Sequence, residues 1–225
     1  MATYVLIHGA GDSGWYWHLV GAELGARGHE AVAPDLPIED ESAGLADYAD
    51  AVVEAIGPRS ELVVVAQSAG GFTAPLVCER VRVELLVLVA GLIPLPGEKG
   101  EDWWANTGYY EAEREPVDPA DTIALFYHDV PPELAAEALT HARTQADAPS
   151  EEPWPLERWP DVPTRFLLCR QDRLLPAEWL RGVVRNRLGI EPDEIDASHC
   201  VALSRPREVA DRLEAYRGEQ SARAG

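Results

Sequence analysis

Apolar positions along the chain follow two alternating rhythms. Short runs rich in β-branched residues, the mark of strands, alternate with stretches in which apolar residues recur every three to four positions, the mark of amphipathic helices. Strands are predicted over 3–7, 29–33, 62–67, 83–90 and 164–169, with a sixth inside 191–197. The run 83–90 is almost unbroken, which suits a parallel strand buried on both faces. Helices are predicted over 15–27, 45–56, 69–80, 176–187 and 206–216. Gly28 ends the first, Gly57-Pro58 the second, and Pro176 opens the fourth. Pro75 is expected to kink or loosen the third. This alternation predicts an α/β fold: a doubly wound, mostly parallel six-stranded sheet with helices on both faces.

The alternation lapses between about 91 and 163, where proline, glycine and acidic residues become dense. Helices are expected over 119–127, capped by Asp118, and over 132–145, with Asp129 near its start. A structureless insertion of this length is unusual, so a helical cap is predicted. The expected organisation is a core of 1–91 and 163–217, a cap of 92–162, and a frayed polar tail of 218–225. Trp103, Trp104, Trp154 and Trp159 fall in the cap, where they either line a pocket or anchor cap to core. Trp15, Trp103, Trp104, Phe126 and Leu174 are the candidate pocket residues.

Chemistry enters at the ends of the predicted strands, where ligands bind in such sheets. The third strand ends at Ala66-Gln67-Ser68-Ala69-Gly70-Gly71 and runs straight into a helix. A serine in a sharp strand-to-helix turn needs small neighbours, and Ala66, Ala69 and Gly70 are small. Asp172 follows the fifth strand and His199 the sixth, so the order is nucleophile, acid, base. Serine attacks only as it loses its proton. His199 can accept that proton, and Asp172 can hold the imidazole tautomer. Backbone N–H groups of Ala10, in the glycine-rich loop after the first strand, and of Ala69 are the candidate oxyanion donors. His8 is expected to brace that loop. Asp196 is nearer to His199 in sequence but lies in or at the end of the sixth strand, and is the weaker candidate acid. His128 and His141 lack partners at metal spacing and are read as structural or exposed.

Composition narrows the partners. The 225 residues carry a formal net charge of −20 with 46% hydrophobic content. Such a charge argues against nucleic-acid and anionic-membrane partners. No apolar run has the length of a membrane span. The opening Met1-Ala2-Thr3-Tyr4-Val5 has no basic region ahead of its apolar run. Cys78, Cys169 and Cys200 show neither metal nor disulfide spacing. A cytoplasmic protein without metal or cofactor, a monomer or homodimer acting on a small molecule, is expected.

The chain resembles the α/β-hydrolase superfamily, and within it the branch of plant methylesterases and hydroxynitrile lyases with their bacterial relatives. The residues that carry this are Val5-Leu6-Ile7-His8-Gly9-Ala10 through Gly14-Trp15-Tyr16-Trp17, Ser68-Ala69-Gly70-Gly71, Cys169-Arg170-Gln171-Asp172 with Pro176, and Ser198-His199-Cys200 through Arg205-Pro206. The cap stretch Phe126-Tyr127-His128-Asp129 adds to it. The chain begins at the strand before the His-Gly loop, without the leading hairpin of larger hydrolases. The resemblance implies cofactor-independent ester hydrolysis through an acyl-serine. In the lyases a threonine stands in the His-Gly loop and a lysine follows the catalytic histidine. Ala10 and Cys200 stand at those positions here, which favours esterase over lyase. A lyase, another hydrolase or cyclase step of secondary metabolism, and a ligand-binding protein on the same fold are the alternatives.

Overall fold

The computed structural model describes residues 1–224. Six strands form one parallel sheet in the order β2-β1-β3-β4-β5-β6. They are β1 (Thr3–Ile7), β2 (Glu30–Val32), β3 (Leu62–Gln67), β4 (Val83–Val89), β5 (Thr164–Cys169) and β6 (Asp193–Ile195). The central strands β1 and β3 are buried along their whole length. Their side chains meet helices on both faces, which is why they read as continuous apolar runs.

Connections follow the expected scheme. After β1 come a 3-10 turn, Gly14–Trp17, and α1 (His18–Ala26); α2 (Leu45–Ile56) follows β2, and α3 (Gly70–Arg80) follows β3. The segment between β4 and β5 carries α4 (Gly100–Asn106), the 3-10 turn Tyr109–Glu111, α5 (Thr122–Phe126), α6 (Pro132–Thr140) and α7 (Ala148–Glu151). Then come α8 (Ala177–Leu188) after β5, and α9 (Val201–Ser204) and α10 (Pro206–Ala224) after β6. Helix α1 packs on α10 and α2 on α3. The chain leaves β1 toward β2, then crosses back to β3 on the other side. The loops after β1 and β3 therefore meet where the winding reverses, the place such sheets bind ligands.

Several boundaries differ from the expected ones. The first helix begins as a 3-10 turn through Trp17. The helix expected over 119–127 starts only at Thr122, because Asp118 commits its carboxylate to a turn with Ala120 N–H while Asp121 caps Ala124 N–H. Helix α6 stops at Thr140 rather than 145, since Arg143 N–H leaves the helical ladder for the Gly11 carbonyl at 2.9 Å. Helix α3 continues through Pro75, which lies in its second turn and deprives only the Gly71 carbonyl of a helical donor. The last helix runs past Tyr216 to Ala224, over most of the expected tail; Gly225 lies outside the described residues.

Candidate active site

The backbone at Ser68 carries the first feature of the site. Between the end of β3 at Gln67 and the start of α3 at Gly70, Ser68 adopts φ 51°. Left-handed backbone costs an L-residue roughly 1–2 kcal/mol. It is held by the Ser68 carbonyl, which accepts from Gly71 N–H at 3.0 Å and Leu92 N–H at 2.9 Å. The turn also needs close backbone approach. A Cβ at Gly70 would stand 2.8 Å from the His8 carbonyl, and one at Gly71 2.0 Å from the Leu92 carbonyl. Ala66 lies inside β3, paired with Ile7 and Leu88, and keeps ordinary strand backbone, so alanine fits where glycine is more usual.

The loop after β1 lies against this turn. His8 is fully buried, with Nδ1 2.8 Å from the Gly9 carbonyl and Nε2 3.1 Å from Leu36 N. A carbonyl only accepts and an amide only donates, so Nδ1 bears the proton and the ring is neutral. Burial holds its pKa below the usual value. Gly14 N–H donates to Asp35 at 2.7 Å, and the Gly11 carbonyl takes Arg143 N–H. The loop is thus fixed from three sides. Neither Ala10 N–H nor Ala69 N–H has an acceptor among the described residues, and both residues line one cavity.

The structure brings the candidate acid, Asp172, and the candidate base, His199, into contact. His199 Nδ1 stands 2.6 Å from Asp172 Oδ2, with both side chains almost fully buried. Asp172 Oδ1 accepts from Leu174 N–H at 2.8 Å and Leu175 N–H at 2.9 Å. The stretch 126–129 braces both loops. The Phe126 carbonyl accepts from Ser198 Oγ–H and Cys200 N–H on either side of His199, and its ring meets the imidazole edge-on at 5.5 Å. Asp129 accepts from Ser198 N–H, and His128 Nε2 donates to the Gln171 carbonyl. Asp196 points away into solvent, paired with Arg170 through both carboxylate oxygens. Ser68 Oγ makes no hydrogen bond to His199 among the described residues. Gln67 Nε2, 3.5 Å from the His199 carbonyl, links their loops.

A cavity of about 200 Å³ opens beside Ala10 and Ala69. Of the candidate pocket residues only Trp104 lines it. Trp103 is fully buried and donates its indole N–H to the Ile93 carbonyl, a bond within segment 92–162. Trp154, also buried, donates to the Phe72 carbonyl of α3 and ties that segment to the sheet domain. Trp15 is sandwiched between the rings of His18 and His141, and Leu174 serves Asp172 through its amide. Phe126 packs on His199 rather than in the cavity. Aromatic side chains satisfy either role with the same composition, and only tertiary packing separates them.

The sequence reading missed four polar residues at the site. Tyr48, Thr73 and Gln145 line the cavity, and Gln145 Oε1 reaches Gly11 N–H at 3.4 Å. Burial pushes the carboxyl of Asp12, in the loop after β1, up to about 6, with the charges of His141 and His199 acting the other way. Tyr48 read as one more apolar helix position, while Gln145 is linked to the site by contacts across more than a hundred residues. The Cys200 thiol is buried, which raises its pKa well above the usual value and keeps it neutral. Among the described residues no group of three His, Cys, Asp or Glu side chains is arranged to hold a metal ion.

Comparison with known proteins agrees with this architecture. The model of the "Alpha/beta hydrolase family" matches residues 4–212. A rice protein (Oryza sativa subsp. indica) named probable esterase PIR7A is 27% identical over 248 residues, spanning 93% of this chain and 94% of that protein. Methylesterase 7 of Arabidopsis thaliana is 26% identical over 250 residues, with 93% and 94% covered. Among solved structures, polyneuridine aldehyde esterase superposes with a TM-score of 0.80 at 20% identity, over 96% of this chain and 99% of that one. The sheet order, the strained serine turn and the matched family model agree, and this chain belongs to the alpha/beta hydrolase family.

Proposed function

We propose that the protein is a serine carboxylesterase acting on a small, largely apolar ester. Ser68 is the nucleophile, His199 the general base and Asp172 the acid that orients it. With its Nδ1 proton directed to Asp172, His199 offers a bare Nε2 to the serine proton. Ser68 Oγ attacks the ester carbonyl carbon as His199 takes that proton. The carbonyl oxygen becomes an oxyanion, stabilised by the N–H groups of Ala10 and Ala69. His199 then gives the proton to the leaving alcohol, and water repeats the sequence on the acyl-serine to release the acid. No cofactor takes part in this sequence. Segment 92–162 serves as the cap over the site.

The observation that carries the reading is the left-handed backbone of Ser68 at the strand-to-helix turn. A fold sustains such strain where the side chain must stand clear of both elements, as a nucleophile must. The esterase names of the relatives support the same class of reaction. The three unpaired cysteines suit a reducing, cytoplasmic setting. The test is labelling with a fluorophosphonate and turnover of 4-nitrophenyl esters. Labelling at Ser68, with both label and turnover lost in Ser68→Ala, is the expected result. A wild-type protein that neither labels nor turns over an activated ester overturns the reading in favour of a ligand-binding role.

A further inference from the structure

The cavity beside Ala10 and Ala69 has a specific chemical asymmetry. Its walls include Leu36, Ile38, Leu45, Phe72, Leu92 and Trp104, and no lysine or arginine lines it. Two hydroxyls belong to lining residues that are themselves almost fully buried, Tyr48 at 4% and Thr73 at 1% exposure. Tyr48 Oη accepts from Gln145 Nε2 at 3.0 Å, and its own O–H has no acceptor among the described residues. Both hydrogens of that carboxamide nitrogen are used, on Tyr48 Oη and on the Ala146 carbonyl. Gln145 Oε1 faces Gly11 N–H, which fixes the amide orientation. Tyr48 is therefore held from one side with its donor left over. The Thr73 hydroxyl likewise has no hydrogen-bond partner among the described residues. Both donors are thus free for an acceptor in the cavity, a water or a ligand.

The position of the cavity says which half of an ester it would take. In the proposed reaction His199 delivers a proton to the leaving alcohol, so that half must lie against the imidazole. The cavity starts beside Ser68 rather than at it: its lining includes both oxyanion donors but not Ser68, His199 or Phe126, which packs on His199. The acyl half is the one that extends from the oxyanion donors away from His199. At about 30 Å³ for each water-sized group, 200 Å³ admits roughly six or seven of them.

We propose that this cavity is the acyl pocket and that Tyr48, seconded by Thr73, donates a hydrogen bond there to a neutral oxygen on the acyl chain. The substrate class is then the ester of a short, uncharged oxo- or alkoxy-acid. The proposal rests on the esterase reading. A carboxylate in place of that oxygen is excluded by the apolar walls, the lack of a cation in the lining, and Asp147 at the exposed rim.

The experiment compares 4-nitrophenyl hexanoate with its oxo analogues, the ketone being walked along the chain. For at least one ketone position, wild-type kcat/KM should exceed that of the plain ester by roughly tenfold, the scale of one well-made buried hydrogen bond. That ratio should fall to about one in Tyr48→Phe and fall in part in Thr73→Val. A wild type without preference at any ketone position, or a ratio unchanged in Tyr48→Phe, overturns the proposal. A second arm measures binding of the same esters to Ser68→Ala, with and without Tyr48→Phe, by calorimetry. Ketone preference in binding, lost with Tyr48→Phe, while the wild type turns over no ester would keep the pocket and sink the esterase reading. Turnover without ketone preference would do the reverse.

Discussion

His199 Nδ1 and Asp172 Oδ2 lie 2.6 Å apart, while the second oxygen of the same carboxylate is fixed by the amides of Leu174 and Leu175. The carboxylate cannot turn without losing those two bonds, so its free edge is committed to the imidazole. In Asp172→Asn the oxygen can keep the two amides, which puts the NH2 against Nδ1. The ring must then bear its proton on Nε2 and cannot take one from Ser68. We expect kcat to fall by several orders of magnitude, about 10⁴-fold in the comparable serine-protease case, with little loss of stability. Asp196→Asn only removes an exposed pair with Arg170 and should change kcat less than about twofold. Ester kinetics on both variants check the ranking, and the reverse order would make Asp196 the acid.

Ser68 should be a site where function and stability pull apart. Its φ of 51° is costly for any side chain with a Cβ and free for glycine. Ser68→Gly should therefore be more stable than Ser68→Ala by about 1 kcal/mol, although neither retains turnover. Urea unfolding of the two inactive variants reads the difference directly. Equal midpoints would mean that the turn carries no strain.

Gly71 and Gly182 make a matched pair of opposite sign. A Cβ at Gly71 would stand 2.0 Å from the Leu92 carbonyl oxygen, backbone against backbone, where neither side can give way. Gly71→Ala should cost roughly 2 kcal/mol or more, on the order of other severe packing defects, and should disturb the Ser68 turn with it. Gly182 lies in α8, where an added Cβ would meet nothing within 4 Å. Gly182→Ala should stabilise by up to about 1 kcal/mol through helix propensity alone. Thermal melts of the two variants should move in opposite directions.

Two groups beside the site make stability depend on pH in opposite senses. Burial lowers the His8 pKa, so the folded state holds the ring neutral while the unfolded chain protonates near 6.5. That contribution is complete above pH 6.5 and is lost as pH falls below it. Asp12 is raised from 3.8 to about 6, so the folded state holds a proton more tightly than the unfolded chain. Its penalty is absent below 3.8, grows between 3.8 and about 6, and is complete above. Asp12→Asn should then stabilise the protein at about pH 8 by an amount on the order of 1–2 kcal/mol, with the gain shrinking toward about pH 4. His8→Gln should flatten the loss of stability below pH 6.5. Denaturation midpoints across roughly pH 4 to 8 test both, and an Asp12→Asn gain independent of pH would refute the assignment.

The core, and the strand ends where the candidate residues stand, were legible because they are encoded locally. The inner strands β1, β3, β4 and β5 each contain a short apolar run, and Ser68, Asp172 and His199 each stand just beyond the end of a strand. Segment 92–162 was legible only as a break in that rhythm. Its helices are short, so capping and tertiary contacts decide their ends: Asp121 rather than Asp118 starts α5, and the pull of Gly11 on Arg143 ends α6. The division of the tryptophans was not legible. Trp103 and Trp104 are adjacent in sequence, yet one closes a contact to the Ile93 carbonyl and the other faces the cavity. The same holds for Tyr48, whose ring fills a helix face and whose hydroxyl finds Gln145.

Positions 10 and 200 offer a test of ester hydrolysis against cyanohydrin cleavage. Acyl transfer places negative charge on a carbonyl oxygen, for which two backbone donors suffice. Cyanohydrin cleavage expels an anion that needs a polar or cationic partner of its own. Ala10 offers a methyl group, and Cys200 is a buried thiol that stays neutral because burial raises its pKa far above the usual value. Placing cyanide there without a partner costs at least the roughly 2 kcal/mol of an unsatisfied polar group, and far more for a full charge. The wild-type protein should hydrolyse aryl esters yet release no cyanide from mandelonitrile above the buffer rate. Ala10→Thr combined with Cys200→Lys should lower ester turnover and bring cyanide release above that rate. Cyanide release by the unmodified protein, abolished in Ser68→Ala, would make the same three residues a lyase.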